Sequence, residues 1–140
     1  MVDRSTILIA DDEESVRGFL KELLEEAGYR VTTASDGRIA RDLLNQKHFD
    51  LLISDIRMPG VDGMKLLQEI RSRQLDTEVV IITSHSTVDT VMEAVQSQAY
   101  FLRKPFEGID AILNMVHRAL KKRKTAGIDR RSNDNGGRKH

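Results

Sequence analysis

A chain of 140 residues, 39% hydrophobic and 31% charged, has the size of one globular domain with a real core and leaves no room for two. It contains no cysteine, which excludes a disulfide framework and a thiolate metal site, and no apolar run near the roughly 20 residues that span a bilayer. The formal net charge of zero hides an asymmetry: residues 121–140 hold eight Lys and Arg against two Asp, a surplus of +6, so the rest carries −6.

An acidic body argues against direct nucleic-acid binding by the main domain, since duplex affinity rests largely on contacts between cations and phosphates. Only the tail has the charge to bind polyanions. The first nine residues lack the basic-then-apolar order of a signal peptide, so the expectation is a cytoplasmic protein with no membrane contact.

Residues 6–10, Thr-Ile-Leu-Ile-Ala, are a continuous apolar run with β-branched members and predict a strand buried on both faces. The run ends in Asp11-Asp12-Glu13-Glu14. Val16, Phe19, Leu20, Leu23, Leu24 and Ala27 then recur at helical spacing, and Gly28 supplies the left-handed stop expected just past a helix. Tyr29 to Ala34 predicts a second strand, Ser35-Asp36-Gly37 a turn, and Ile39, Ala40, Leu43 and Leu44 the apolar face of a second helix.

Leu51 to Asp55 is the third strand, after which Pro59-Gly60 forbids a simple continuation. Met64, Leu67 and Ile70 lie on one side of the helix that follows, with Lys65, Glu69 and Arg71 on the other. Glu78 to Thr83 is the fourth strand. Val88, Val91, Met92 and Val95, at i, i+3, i+4 and i+7, predict a fourth helix with a narrow apolar face. Tyr100 to Arg103 is a short fifth strand closed by Lys104-Pro105, and Ile109, Ile112, Leu113, Val116 and Leu120 line a last helix. From Thr125 onward Gly, Asn, Asp and Arg dominate, a composition that predicts disorder. Five alternations of strand and helix with short links predict a doubly wound α/β fold: a five-stranded parallel sheet, five helices on its two faces, and right-handed crossovers.

In such a sheet ligands bind beyond the C-terminal ends of the strands, and the polar residues fall there: Asp11 and Asp12 after the first strand, Asp55 after the third, Thr83 and Ser84 after the fourth, Lys104 after the fifth. Gathered carboxylates repel one another, and a hard divalent cation such as Mg²⁺ relieves that repulsion through oxygen ligands while keeping several waters. A carboxylate can also attack a phosphoryl group to give an acyl phosphate. Metal, ammonium and hydroxyl would then share the charge on the phosphoryl oxygens. Any one Asp after a strand is more often a turn or helix cap, and only the whole set points to phosphate chemistry. No G-x-x-x-x-G-K-[ST] motif supports a P-loop nucleotidase, no G-x-S-x-G elbow a hydrolase, and His48, His85, His117 and His140 have no ligand spacing.

The segments I-L-I-A-D-D-E, L-L-I-S-D-I-R-M-P-G-V-D-G, V-V-I-I-T-S and F-L-R-K-P-F together resemble the response-regulator receiver domain of two-component signalling over residues 5–121, leaving 122–140 as a basic tail. The resemblance implies a flavodoxin-like sheet of order 2-1-3-4-5, Asp55 as phosphoacceptor, and Mg²⁺ held by Asp12 directly and Asp11 mainly through water, with Asp55 and the backbone carbonyl of Arg57 completing the set. It implies further that Thr83 is the hydroxyl that moves to the phosphoryl group, Lys104 the phosphate-binding lysine, Phe101 the aromatic that swings inward with Thr83, and Arg57 and His85 the neighbours that tune dephosphorylation. A cis bond before Pro105 is also implied. The chain departs from the pattern at Ser97-Gln98, where the family often carries Gly-Ala.

The implied function is a switch, not an enzyme in the ordinary sense. It takes a phosphoryl group from a histidine kinase or phosphotransfer protein and alters binding of a downstream protein through the fourth helix, fifth strand and fifth helix, with a phosphorylation-dependent homodimer as one form of output. Two rivals differ by residues: a non-phosphorylating binding module would lack one of Asp12, Asp55, Thr83 or Lys104, and an aspartyl phosphatase would need a proton donor where Arg57 stands. The receiver of a longer transcriptional regulator or hybrid signalling protein would look the same.

Overall fold

The computed structural model describes residues 4–84 and 87–122. Chain order is β1 (Thr6–Ala10), α1 (Glu14–Glu26), β2 (Arg30–Ala34), α2 (Gly37–Gln46), β3 (Leu51–Asp55), α3 (Gly63–Ser72), β4 (Glu78–Thr83), α4 (Val88–Gln96) and β5 (Tyr100–Arg103). Residues 109–122 are the described part of a fifth helix, α5. The five strands form one parallel sheet of order β2-β1-β3-β4-β5, as the resemblance implies. The predicted disorder from Thr125 onward and the role assigned to His85 fall outside the described residues.

Because strand side chains alternate between faces, each central strand feeds two cores. Leu8, Leu52, Val79 and Ile81 point to the side covered by Ala40 and Leu44 of α2 and Leu66, Leu67 and Ile70 of α3. Ile7, Ile9, Leu51, Ile53, Val80 and Ile82 point to the side covered by Leu20 and Leu24 of α1 and Ile112, Val116, Ala119 and Leu120 of α5. All of β3 is buried, so its closing residue, Asp55, lies at the centre of the sheet's C-terminal edge.

Phe19 and Ile39, expected on the apolar faces of their helices, are 42% exposed, and Ile109 is 51% exposed. Leu20 and Ala40 hold the buried lines of α1 and α2, and a residue one position away is turned by about 100° around a helix. Phe19 instead stacks on Phe106 from the loop after β5, ring centroids 6.4 Å apart. In α4 the predicted face differs from the buried one: Met92 and Val95 remain exposed and Val91 is half-buried, whereas Ala94, outside that face, is buried.

Helix starts follow local chemistry. Asp36, Asp62 and Thr87 each accept a backbone N–H three residues on, as N-caps of α2, α3 and α4. Between β3 and α3 the chain is tied down by Met58 and Val61, both buried, and by the Gly63 N–H donating to the Ile56 carbonyl at 2.9 Å. Gly63 has no room for a side chain: a Cβ there would stand 2.2 Å from the Asp55 carbonyl oxygen.

Candidate functional site at the C-terminal edge of the sheet

The structure gathers the predicted acidic and basic residues into one cluster. β1 delivers Asp11, wholly buried, and Asp12, exposed, while β3 delivers Asp55, 6% exposed. Each of these three carboxylates places an oxygen within 4.8 Å of the other two. Parallel pairing is the cause: β1 and β3 are direct neighbours, with Ala10 opposite Ser54, so their next residues emerge side by side.

Lys104, 8% exposed, closes the cluster from the end of β5. Its Nζ donates to Asp11 Oδ2 at 2.9 Å, to Asp55 Oδ2 at 3.0 Å and to Glu13 Oε1 at 2.8 Å. The Lys104 backbone N–H donates to the Thr83 carbonyl at 2.9 Å, and the Lys104–Pro105 peptide is cis, as the resemblance implies. Backbone donors orient the other carboxylate oxygens: Glu13 N–H to Asp11 Oδ1 at 2.8 Å and Arg57 N–H to Asp55 Oδ1 at 3.2 Å.

Burial raises the Asp11 pKa, and it prevails over the Glu13 N–H and Lys104 bonds, with the Asp55 charge adding to the rise. For Lys104 burial acts to lower the pKa, but the three carboxylate bonds outweigh it and the ammonium is held more firmly than in water. Hydrogen bonding to Lys104 lowers the pKa of Glu13.

Thr83 is 1% exposed at the end of β4, where it pairs with Arg103. Phe101 lies two residues earlier on β5, opposite Ile81, half-buried against the core on the α2 and α3 side. The Arg57 side chain is exposed and borders a shallow cleft of about 500 Å³ lined also by Asp12, Ile56, Met58, Pro59 and Asp62. Sequence reasoning assigned no role to Glu13 or to Arg17, whose Nη1 donates to the Asp11 carbonyl at 2.7 Å. The run Asp11-Asp12-Glu13-Glu14 was the available signal for Glu13; which of its four carboxylates turn inward depends on where helix α1 starts.

A buried ammonium among carboxylates, beside an exposed acid and a cleft, is a site for oxygen-rich anions and hard cations at once. Known proteins resemble the chain at the level of the domain. The family model for the response regulator receiver domain matches residues 7–117. The DNA-binding transcriptional regulator NtrC of Klebsiella pneumoniae is 41% identical over 120 residues, 85% of this chain and 25% of that protein. The transcriptional regulatory protein FixJ of Bradyrhizobium diazoefficiens is 35% identical over 127 residues, 90% of this chain and 62% of that protein. The chain thus spans about a quarter of the length of NtrC. Among solved structures, chemotaxis protein CheY4 of Vibrio cholerae superposes with a TM-score of 0.76 at 30% identity, covering 84% of this chain and all of that one. The signal receiver domain of a Vibrio parahaemolyticus LuxO repressor protein gives 0.84 at 27%, covering 90% and 97%. With its motifs, sheet order and family match in agreement, the chain belongs to the response regulator receiver domains.

Proposed function

We propose that this domain is a phosphorylation switch in which Asp55 accepts a phosphoryl group from a histidine kinase or phosphotransfer protein. One observation supports the reading: the Asp55 carboxylate stands at the centre of the sheet edge, with one oxygen accepting from Lys104 and an oxygen within 4.8 Å of carboxylate oxygens of Asp11 and Asp12. In the transfer an Asp55 oxygen bonds to phosphorus, the bond from phosphorus to the donor's imidazole nitrogen breaks, and that nitrogen keeps the electron pair. Lys104 then holds a phosphoryl oxygen by a charge-assisted hydrogen bond.

The donor set suits Mg²⁺, since it is all oxygen and one member, Asp12, opens to water. Asp12, Asp55, the Arg57 carbonyl and, mainly through water, Asp11 are the proposed holders. The ion would supply positive charge to the phosphoryl oxygens. Thr83, buried one strand away, is the hydroxyl that moves toward the phosphoryl group, and Phe101 on the neighbouring strand follows it inward. Two states separated by a few kcal/mol suffice for such coupling. Arg57 and His85 are the proposed neighbours that set the lifetime of the phosphorylated form.

Output passes through α4, β5 and α5, where Met92 and Val95 are exposed, to a downstream protein or a second copy of the chain. Residues 5–121 form the signalling domain of a cytoplasmic protein, and 122–140 a basic segment beyond it. A second reading, the receiver of a longer transcriptional regulator, is favoured by the quarter share of NtrC that the chain spans. Intact-mass spectrometry after incubation with acetyl phosphate and Mg²⁺ tests the proposal. One labile phosphoryl adduct is expected, absent in Asp55→Asn. Equal labelling of that variant would sink the assignment.

A further inference from the structure

An ammonium group has three N–H donors and no acceptor, and all three donors of Lys104 are engaged by Asp11, Asp55 and Glu13. Lys104 therefore has no donor to offer a phosphoryl oxygen until one carboxylate leaves. Burial decides which one. The side chains of Asp11 and Asp55 are 0% and 9% exposed, while that of Glu13 is 56% exposed. A buried carboxylate stripped of its counter-charge is strongly disfavoured, whereas an exposed one is taken up by water.

Local structure lets Glu13 let go without disturbing the fold. Its backbone is pinned at both ends, the N–H donating to Asp11 Oδ1 and the carbonyl accepting from the Arg17 N–H at 3.1 Å. Although Glu13 is the N-cap of α1, its carboxylate makes no capping hydrogen bond, so no helix contact is lost when it turns away. Beside it lies an open crevice of about 440 Å³, lined by Val16, Phe19, Ser84, Lys104 and Phe106.

We propose that Glu13 is a placeholder for the phosphoryl group. Its carboxylate occupies the donor of Lys104 that a phosphoryl oxygen takes, and its release into water accompanies phosphorylation. The inference rests on the phosphoacceptor reading of Asp55 and adds to it a built-in competitor that slows filling of the site. With an acyl phosphate as donor, an Asp55 oxygen bonds to phosphorus, the phosphorus–oxygen bond to the acyl group breaks, and the carboxylate product leaves with the electron pair. Glu13 gains and loses no proton; it exchanges a Lys104 N–H for water.

The test compares Glu13→Asp, which keeps the charge but shortens the reach by one methylene, with Glu13→Gln, which removes the charge. Phosphorylation by acetyl phosphate at saturating Mg²⁺ is expected to be roughly two- to fivefold faster than the parent in both, the range of a partly exposed ion pair. Glu13→Gln fast with Glu13→Asp unchanged would mean that only the nearby charge matters, and any result without acceleration in both overturns the placeholder. A second readout needs neither metal nor donor: NMR of the Lys104 ammonium, whose protons should exchange with water several-fold faster in both variants. Unchanged exchange also overturns the proposal. A parent protein that never labels would instead overturn the phosphoacceptor reading, and the ammonium exchange would still decide whether Glu13 occupies Lys104.

Discussion

The Arg71 side chain donates through Nη2 to the Gln98 carbonyl at 3.2 Å, so that a residue of α3 closes the turn between α4 and β5. Arg71 also donates through Nε to Ser97 and through Nη1 to Thr77, both to carbonyl oxygens. Gln98 has φ of 60°, a left-handed conformation that costs a non-glycine residue roughly 1 kcal/mol. This is the Ser97-Gln98 pair at which the sequence departs from the pattern the resemblance implies. Arg71→Ala should lower stability by about 2 kcal/mol through the loss of charge-assisted bonds. Gln98→Gly should shrink that loss by removing the strain the guanidinium helps to hold. Urea unfolding of the single and double variants measures the coupling, and strictly additive energies would show that the two residues act separately.

Gly63 is a steric constraint on the site itself. Its ideal Cβ position lies 2.2 Å from the Asp55 carbonyl oxygen and 3.0 Å from Ser54 Oγ, so Gly63→Ala must displace either β3 or the start of α3. Overpacking of this kind costs about 1–3 kcal/mol. We expect that loss in denaturant unfolding, together with slower labelling of Asp55, because the backbone that moves carries the carboxylate. A variant as stable as the parent and labelled at the parent rate would refute the constraint.

Lys104→Ala should destabilise the domain in a pH-dependent way. With its pKa raised above 10.5, Lys104 contributes its full stabilisation below that pH and loses it only as pH rises through the folded value. Asp11 has the opposite sense: its folded pKa is raised above 3.8, so its charge weighs against folding at neutral pH, and that penalty fades as pH falls toward 3.8. Removing the ammonium leaves buried carboxylates uncompensated, a loss of about 3 kcal/mol at pH 7. At pH 5 the loss should be smaller, because Asp11, whose pKa burial already raises, can take up a proton. Thermal unfolding at the two pH values makes the comparison, and an equal loss at both counts against the account.

Arg57 borders the cleft beside Asp12, and its exposed side chain has no lone pair with which to activate water. A guanidinium there can shield the phosphoryl group and hold its oxygens. Arg57→Asn is therefore expected to shorten the phosphorylated lifetime several-fold, followed by the decay of the labelled mass. A lifetime that stays the same or lengthens would remove the shielding role.

The order of elements was legible because the strands are short runs rich in β-branched, aliphatic or aromatic residues and each helix carries a 3.6-residue stripe, patterns set by local geometry. The motifs around Asp11, Asp55, Thr83 and Lys104 could be read for the same reason: they lie in or directly after strands, and a parallel sheet brings all such ends to one edge. By itself the sequence thus determined the alternation, the two-sided burial of the central strands and the edge at which polar residues collect. Sheet order came only through the resemblance, since periodicity says nothing about which strand lies beside which.

Tertiary structure alone decided the partners. Phe19 and Ile39 leave the core because each helix buries a line narrower than its apolar stripe. Glu13, one of four consecutive acids, reaches Lys104 across 91 positions of sequence, and Arg71 reaches Gln98 across 27. Such pairings depend on the angle at which α1 leaves β1 and on the packing of α3 beside the α4–β5 turn. Those angles come from the summed packing of side chains distant in sequence, and no local pattern encodes them.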